Sequence, residues 1–70
     1  MTNIIIVNIN GSPYNCKNRM TLYDLITYLN FNPELIAIEY NYQVVSTNLW
    51  KDFYVNNNDN IEIVTMVGGG

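Results

Sequence analysis

The chain reads as a small α+β domain, and three features predict it. An apolar, β-branched run from Asn3 to Ile9 breaks at Asn10-Gly11, a dipeptide favoured in tight hairpin turns. One amphipathic segment follows, with Leu22, Leu25, Ile26 and Leu29 in a single stripe at helical spacing. A last alternating run, Asn60 to Val67, leads into Gly68-Gly69-Gly70.

The elements follow in order. In the first strand alternation sets Ile5, Val7 and Ile9 on one face and Ile4, Ile6 and Asn8 on the other. Both faces begin apolar, which suits a central strand. Ser12 to Cys16 is a return strand, and Pro13, without an N–H, assigns it to a sheet edge. Thr21 is a good helix N-cap, with Asp24 placed three residues on for a capping box. The helix spans about ten residues and stops between Asn30 and Pro33, because proline disfavours helix at the residue before it. Too short to be stable alone, it must pack on the sheet. Ile36 to Tyr40 is a third strand, turning at Asn41-Tyr42 into Gln43-Val44-Val45. Asn48 to Phe53 is irregular or one short turn, with Leu49 and Trp50 packed beneath it. Asn56 to Asn58 is a loop, and the final strand points Ile61 and Ile63 inward, Glu62 and Val64 outward.

A helix across one face of a small mixed sheet would bury its stripe on Ile5, Val7, Ile9, Ile61 and Ile63. The first and last strands would then lie parallel at the sheet centre. That is the β-grasp, or ubiquitin-like, arrangement: four to five strands in a mixed sheet with one main helix packed across one face. The expected organisation is a β-grasp domain over 1–67 and a flexible glycine tail over 68–70.

Composition bounds the function. Cys16 is the only cysteine and there is no histidine, so neither an internal disulfide nor a structural zinc site is expected. Lys17, Arg19 and Lys51 are the only basic side chains in a chain of net charge -3, too few for tracking phosphates. Nucleic acid and anionic membranes are therefore poor partners. No signal peptide is apparent, and the longest apolar run, Ile4 to Val7, is far too short to span a bilayer. The expectation is a domain that is monomeric when alone, in a bacterial cytoplasm or, given an asparagine-rich composition suited to an A/T-rich organelle genome, the plastid stroma. Asparagine filling turns explains that composition equally well.

The candidate chemistry lies at the end of the chain. Three glycines after an apolar strand form a thin thread without side chains, able to enter a slot that would exclude other sequences. Gly70 carries the carboxylate, and Gly68 and Gly69 thread it. If Ile5, Val7, Ile61 and Ile63 face the helix, then Ile4, Ile6, Val64 and Met66 fall together on the uncovered sheet face, a docking surface. Asp59 and Glu62 sit nearest the tail and are candidates to pair with basic groups on a partner; ordinary solvated charge is the competing reading. Cys16 is better read as a small apolar residue than as a nucleophile. No phosphate-binding loop or spaced carboxylate pair supports an enzyme.

With those residues in view, the chain resembles the ThiS family, the sulfur carriers of thiamine thiazole biosynthesis in the ubiquitin-like ThiS/MoaD superfamily. The matching segments are Val7-Asn8-Ile9-Asn10-Gly11, the helix start Thr21-Leu22-Tyr23-Asp24-Leu25, Ile36 through Trp50, Asp59-Asn60-Ile61-Glu62-Ile63-Val64 and Val67-Gly68-Gly69-Gly70. The chain departs from the family at Asn41-Tyr42, where Asn-Gly is frequent, at Ser46-Thr47 in place of Pro-Arg, and at Asn57-Asn58-Asp59 in place of Asp-Gly-Asp.

The resemblance implies a protein cosubstrate. A ThiF-type enzyme would use ATP and magnesium to adenylate the Gly70 carboxylate, and a persulfide sulfur donor would displace AMP to leave a thiocarboxylate. Thiazole synthase, ThiG, would then take the sulfur. The carrier itself binds no cofactor or metal and supplies no catalytic residue. Two alternatives share the activation chemistry: a MoaD-type molybdopterin carrier, whose proline-rich approach to the tail is missing from Thr65-Met66-Val67, and a ubiquitin-like protein modifier.

Overall fold

The computed structural model describes residues 3–66. Five strands form one sheet: β1 (Ile4–Ile9), β2 (Ser12–Lys17), β3 (Ile36–Tyr40), β4 (Gln43–Val44) and β5 (Asn60–Thr65). Their order is β2-β1-β5-β3-β4, with β1 and β5 parallel at the centre and the other pairs antiparallel. The one α-helix among the described residues, α1 (Leu22–Tyr28), lies against one face. The β-grasp arrangement expected from the sequence is the one found.

Two hairpins make the sheet edges. Asn10 and Gly11 have φ of 51° and 84°, and Asn41 and Tyr42 have 47° and 73°. Positive φ at both central residues is the two-residue turn whose twist matches the strands it joins. In the β1–β2 hairpin the Asn18 N–H donates to the Asn3 carbonyl at 2.6 Å. Alternation from that bond points the backbone groups of Ser12, Tyr14 and Cys16 at β1 and those of Pro13, Asn15 and Lys17 away from it. Pro13 thus loses its donor where no strand needs one.

The helix is shorter than expected. Its start is the anticipated capping box: the Asp24 N–H donates to Thr21 Oγ1 at 3.0 Å, and the Thr21 N–H to Asp24 Oδ2 at 3.1 Å. Its end comes at Tyr28, five residues ahead of Pro33. Asn30 takes a φ of 67°, its N–H reaches the Thr27 carbonyl, and the Phe31 N–H reaches back to Ile26 at 2.9 Å. This left-handed cap satisfies two of the last carbonyls, so the helix ends before proline acts. Pro33 instead opens a 3-10 turn, Pro33–Leu35, leading into β3.

Leu22, Leu25 and Ile26 from α1 are fully buried on Val7, Ile9, Ile38, Ile61 and Ile63 of the sheet. Burying each such side chain contributes about 1.5–3 kcal/mol. Trp50 seals the remaining side from a 3-10 helix, Thr47–Asp52, and its indole N–H donates to the Val45 carbonyl at 3.0 Å. Leu49 does not join it. At three residues per turn the neighbour of an inward Trp50 points out, and Leu49 is 48% exposed.

Asparagine does more than fill turns. β1 and β5 share only a short register, Asn8↔Asn60 and Ile9↔Ile61. Where β5 does not reach, Asn57 Oδ1 accepts the Ile6 N–H at 2.8 Å, and the Asn58 N–H donates to the Ile6 carbonyl at 2.7 Å. At the other end of the overlap Asn10 takes over, as the next section describes.

Candidate functional site

The final strand, β5, leads toward the C-terminal residues, and the fold holds that strand from both sides. Toward β3, the Met66 N–H donates to the Leu35 carbonyl at 2.7 Å, continuing the antiparallel ladder one residue past β5. Toward β1, the Asn10 N–H donates to the Ile61 carbonyl at 2.9 Å, and there β1 turns away. The Asn10 side chain then replaces the missing backbone. Its Oδ1 accepts the Ile63 N–H at 2.7 Å and its Nδ2 donates to the Ile63 carbonyl at 3.2 Å. An amide carries the same donor and acceptor as a peptide group, so Asn10 extends the ladder by one rung. Sequence reading took Asn10 as turn chemistry alone; nothing local reveals its second task, because its partner lies 53 residues away.

Gly68, Gly69 and Gly70, the tail residues expected to carry the chemistry, lie outside the described residues. The expected docking residues divide into two groups. Ile4, Ile6, Val64 and Met66 are all exposed and apolar. The register Asn8↔Asn60 nevertheless sets Val64 eight positions beyond Ile4 along the sheet, about 26 Å at 3.3 Å per residue. The four therefore form two groups on the outer face, Ile4 with Ile6 and Val64 with Met66. The reason is the stagger of the parallel pair, since β5 begins where β1 ends.

At the tail end, the exposed apolar side chains are Val64, Met66 and Leu35, with the half-buried Ala37 directly opposite Val64. Leu35 went unnoticed in the sequence because it sits in a turn rather than a strand. Beside this patch Glu62 lies opposite Glu39 on the outer face. Like charges in register repel, so a cation from outside would relieve the pair.

Asp59 serves the fold instead of a surface. It is 8% exposed, and Oδ2 accepts both the Tyr40 hydroxyl and the Asn56 N–H at 2.6 Å. It stands at the start of β5, the end away from Met66. Burial, and then the bond to Asp59, pushes the Tyr40 phenol above its ordinary value. Cys16 is buried beneath the helix, and burial pushes its thiol up. A protonated, buried thiol is a poor nucleophile despite the neighbouring Lys17 and Arg19.

No group of three or more metal-ligating side chains occurs among the described residues. Among them, no helix is long and apolar enough to cross a membrane.

Comparison with known proteins agrees with this geometry. The chain is 46% identical over 66 residues to the protein ycf40 of Porphyra purpurea, covering 94% of this chain and 93% of that one. It is 38% identical over 64 residues to a thiazole synthase of Magnetococcus marinus, covering 91% of this chain but 20% of that enzyme. The crystal structure of the thiamine biosynthesis protein ThiS from Geobacter metallireducens superimposes with a TM-score of 0.83, covering 94% of this chain and all of that one. At 22% identity that likeness bears on the fold alone. The ThiS family profile matches residues 7–70, so the chain belongs to the ThiS family.

Proposed function

We propose that this protein is a sulfur carrier of thiazole formation, a cosubstrate whose reactive group is the Gly70 carboxylate. The observation that carries the reading is a central strand, bonded on the β3 flank up to Met66 and on the β1 flank up to Ile63, whose sequence continues into Val67-Gly68-Gly69-Gly70. A rigid base lowers the cost of presenting a side-chain-free thread to another enzyme's slot.

A carboxylate is a poor acyl electrophile. A ThiF-type enzyme, using ATP and magnesium, joins it to AMP with loss of pyrophosphate, which supplies a good leaving group. The terminal sulfur of a donor persulfide attacks the acyl adenylate and displaces AMP, giving an acyl disulfide; a thiol then cleaves its S–S bond, leaving a thiocarboxylate on Gly70 and a disulfide on the donor side. ThiG is the acceptor enzyme. A segment like this chain within a protein named thiazole synthase supports that partnership, and favours it over the molybdopterin carrier. The Leu35, Val64 and Met66 patch, with the Glu39 and Glu62 pair beside it, suits a partner that offers an apolar surface and a basic side chain. The compartment in this reading is the bacterial cytoplasm or the plastid stroma.

The test is intact mass after incubation with ATP, magnesium, the activating enzyme and a sulfur source. Exchange of one oxygen for sulfur is expected at the terminus, and an unchanged mass refutes the reading. Gly69→Val should leave folding intact and abolish adenylation, since a β-branched side chain widens the thread; normal pyrophosphate release by that variant would contradict it.

A further inference from the structure

We propose that the outer edge of β2, with the groove between it and α1, receives an extended acidic peptide segment of a partner protein, added to the sheet as a sixth strand. This goes beyond the carrier reading and does not depend on it.

The backbone groups come first. β2 is an edge strand, and its Asn15 and Lys17 N–H groups and the carbonyls of Pro13, Asn15 and Lys17 point away from β1. Such a row is a template for another strand. Pro13 offers no donor at the hairpin half, so the usable stretch runs from Asn15 to Lys17.

A groove of about 420 Å³ adjoins that stretch, lined by Ile4, Cys16, Met20 and Tyr28 together with Asn15 and Lys17. Its surface is mostly apolar. An added strand projects alternate side chains to one face, so every second residue of an occupant would enter this groove.

Charge selects the occupant. Of the three cations in a chain of net charge -3, Lys17 lines the groove and Arg19 follows two residues on, lining a second depression with Asn18 and Tyr54. The third, Lys51, is committed elsewhere, its Nζ 4.8 Å from the Tyr23 ring centroid. Asp24, the one acid lining the groove, has Oδ2 engaged with the Thr21 N–H at the helix cap. Local positive charge on an acidic protein opposes pairing of β2 with a second copy's β2 and favours an acidic strand. Because β2 runs antiparallel to β1 and β5, Lys17 lies at the end of the sheet opposite Met66. An occupant there leaves the tail clear.

The experiment titrates the 15N-labelled chain with a capped peptide of alternating valine and isoleucine ending in two aspartates. Expected are shifts and new exchange protection at the Asn15 and Lys17 amides, weakening as salt rises. Lys17→Glu should weaken binding at least tenfold. Asn15→Pro, which removes an outward donor without touching the β1 ladder, should do the same, with the rest of the spectrum reporting that each variant is folded. Equal binding of the peptide ending in two lysines, shifts confined to other surfaces, no binding at millimolar peptide, or pairing of β2 with a second copy would each overturn the proposal.

Discussion

Replacing Asn10 by glycine tests how the tail-bearing strand is held. Glycine keeps the positive φ of 51° that the turn requires and deletes only the amide. Two hydrogen bonds to Ile63 are lost, of 2.7 and 3.2 Å. At about 1 kcal/mol for each net bond, the loss is about 2 kcal/mol. Asparagine is already tolerant of the left-handed region, so strain relief offsets little, and the extra chain entropy of glycine works in the same destabilising direction. For a domain this small, 1 kcal/mol moves the midpoint by about 4–8 °C, so Tm should fall by roughly 8–16 °C. Trp50, the single tryptophan and 1% exposed, reports unfolding by fluorescence. Exchange of the Ile63 amide should accelerate even under conditions where the domain stays folded. Stability within about 0.5 kcal/mol of the wild type, the range of an ordinary surface change, would refute the claim that Asn10 extends the ladder.

Tyr42→Gly should stabilise the chain: Tyr42 is 78% exposed with φ of 73°, and removing a strain of about 1 kcal/mol outweighs the entropy glycine adds, leaving a net gain of about 0.5 kcal/mol, read as a raised urea midpoint. Tyr40→Phe removes the 2.6 Å bond to Asp59 and should cost about 1.5–3 kcal/mol at neutral pH. The same pair predicts alkaline behaviour. Because the folded phenol holds its proton more tightly than the unfolded one, its contribution is complete below about pH 10 and drains away as pH climbs through the raised folded value. Urea midpoints should therefore fall more steeply above pH 10 in the wild type than in Tyr40→Phe; parallel curves would disprove the coupling.

Local chemistry in the chain foretold much of the fold. β3 was expected and found at Ile36–Tyr40, and Thr21 with Asp24 announced the helix start, because a cap is a contact between residues three apart. The stop at Asn30 was expected, but proline was taken as its cause; the left-handed cap at Asn30 brings it about first. Leu49 was misplaced because a 3-10 helix rotates its faces differently from an irregular loop. The separation of the four expected docking residues into two groups has a deeper reason. Strand alternation tells which face a side chain takes, but the distance along that face depends on the register of a parallel pair closed across some fifty residues, which no local pattern encodes. Asp59 was read by its proximity in sequence to the tail, whereas β5 carries it to the far end.

Among the described residues, four of the six non-glycine residues at positive φ are asparagines, Asn10, Asn30, Asn41 and Asn58. The side chains of Asn10, Asn32, Asn41 and Asn57 also bind backbone groups that regular structure leaves over. One residue type thus performs both as a substitute for glycine and as a spare peptide unit. A nucleotide bias that floods a coding sequence with asparagine would meet little purifying resistance at such places. This architecture can drift a long way in composition while its geometry stands still.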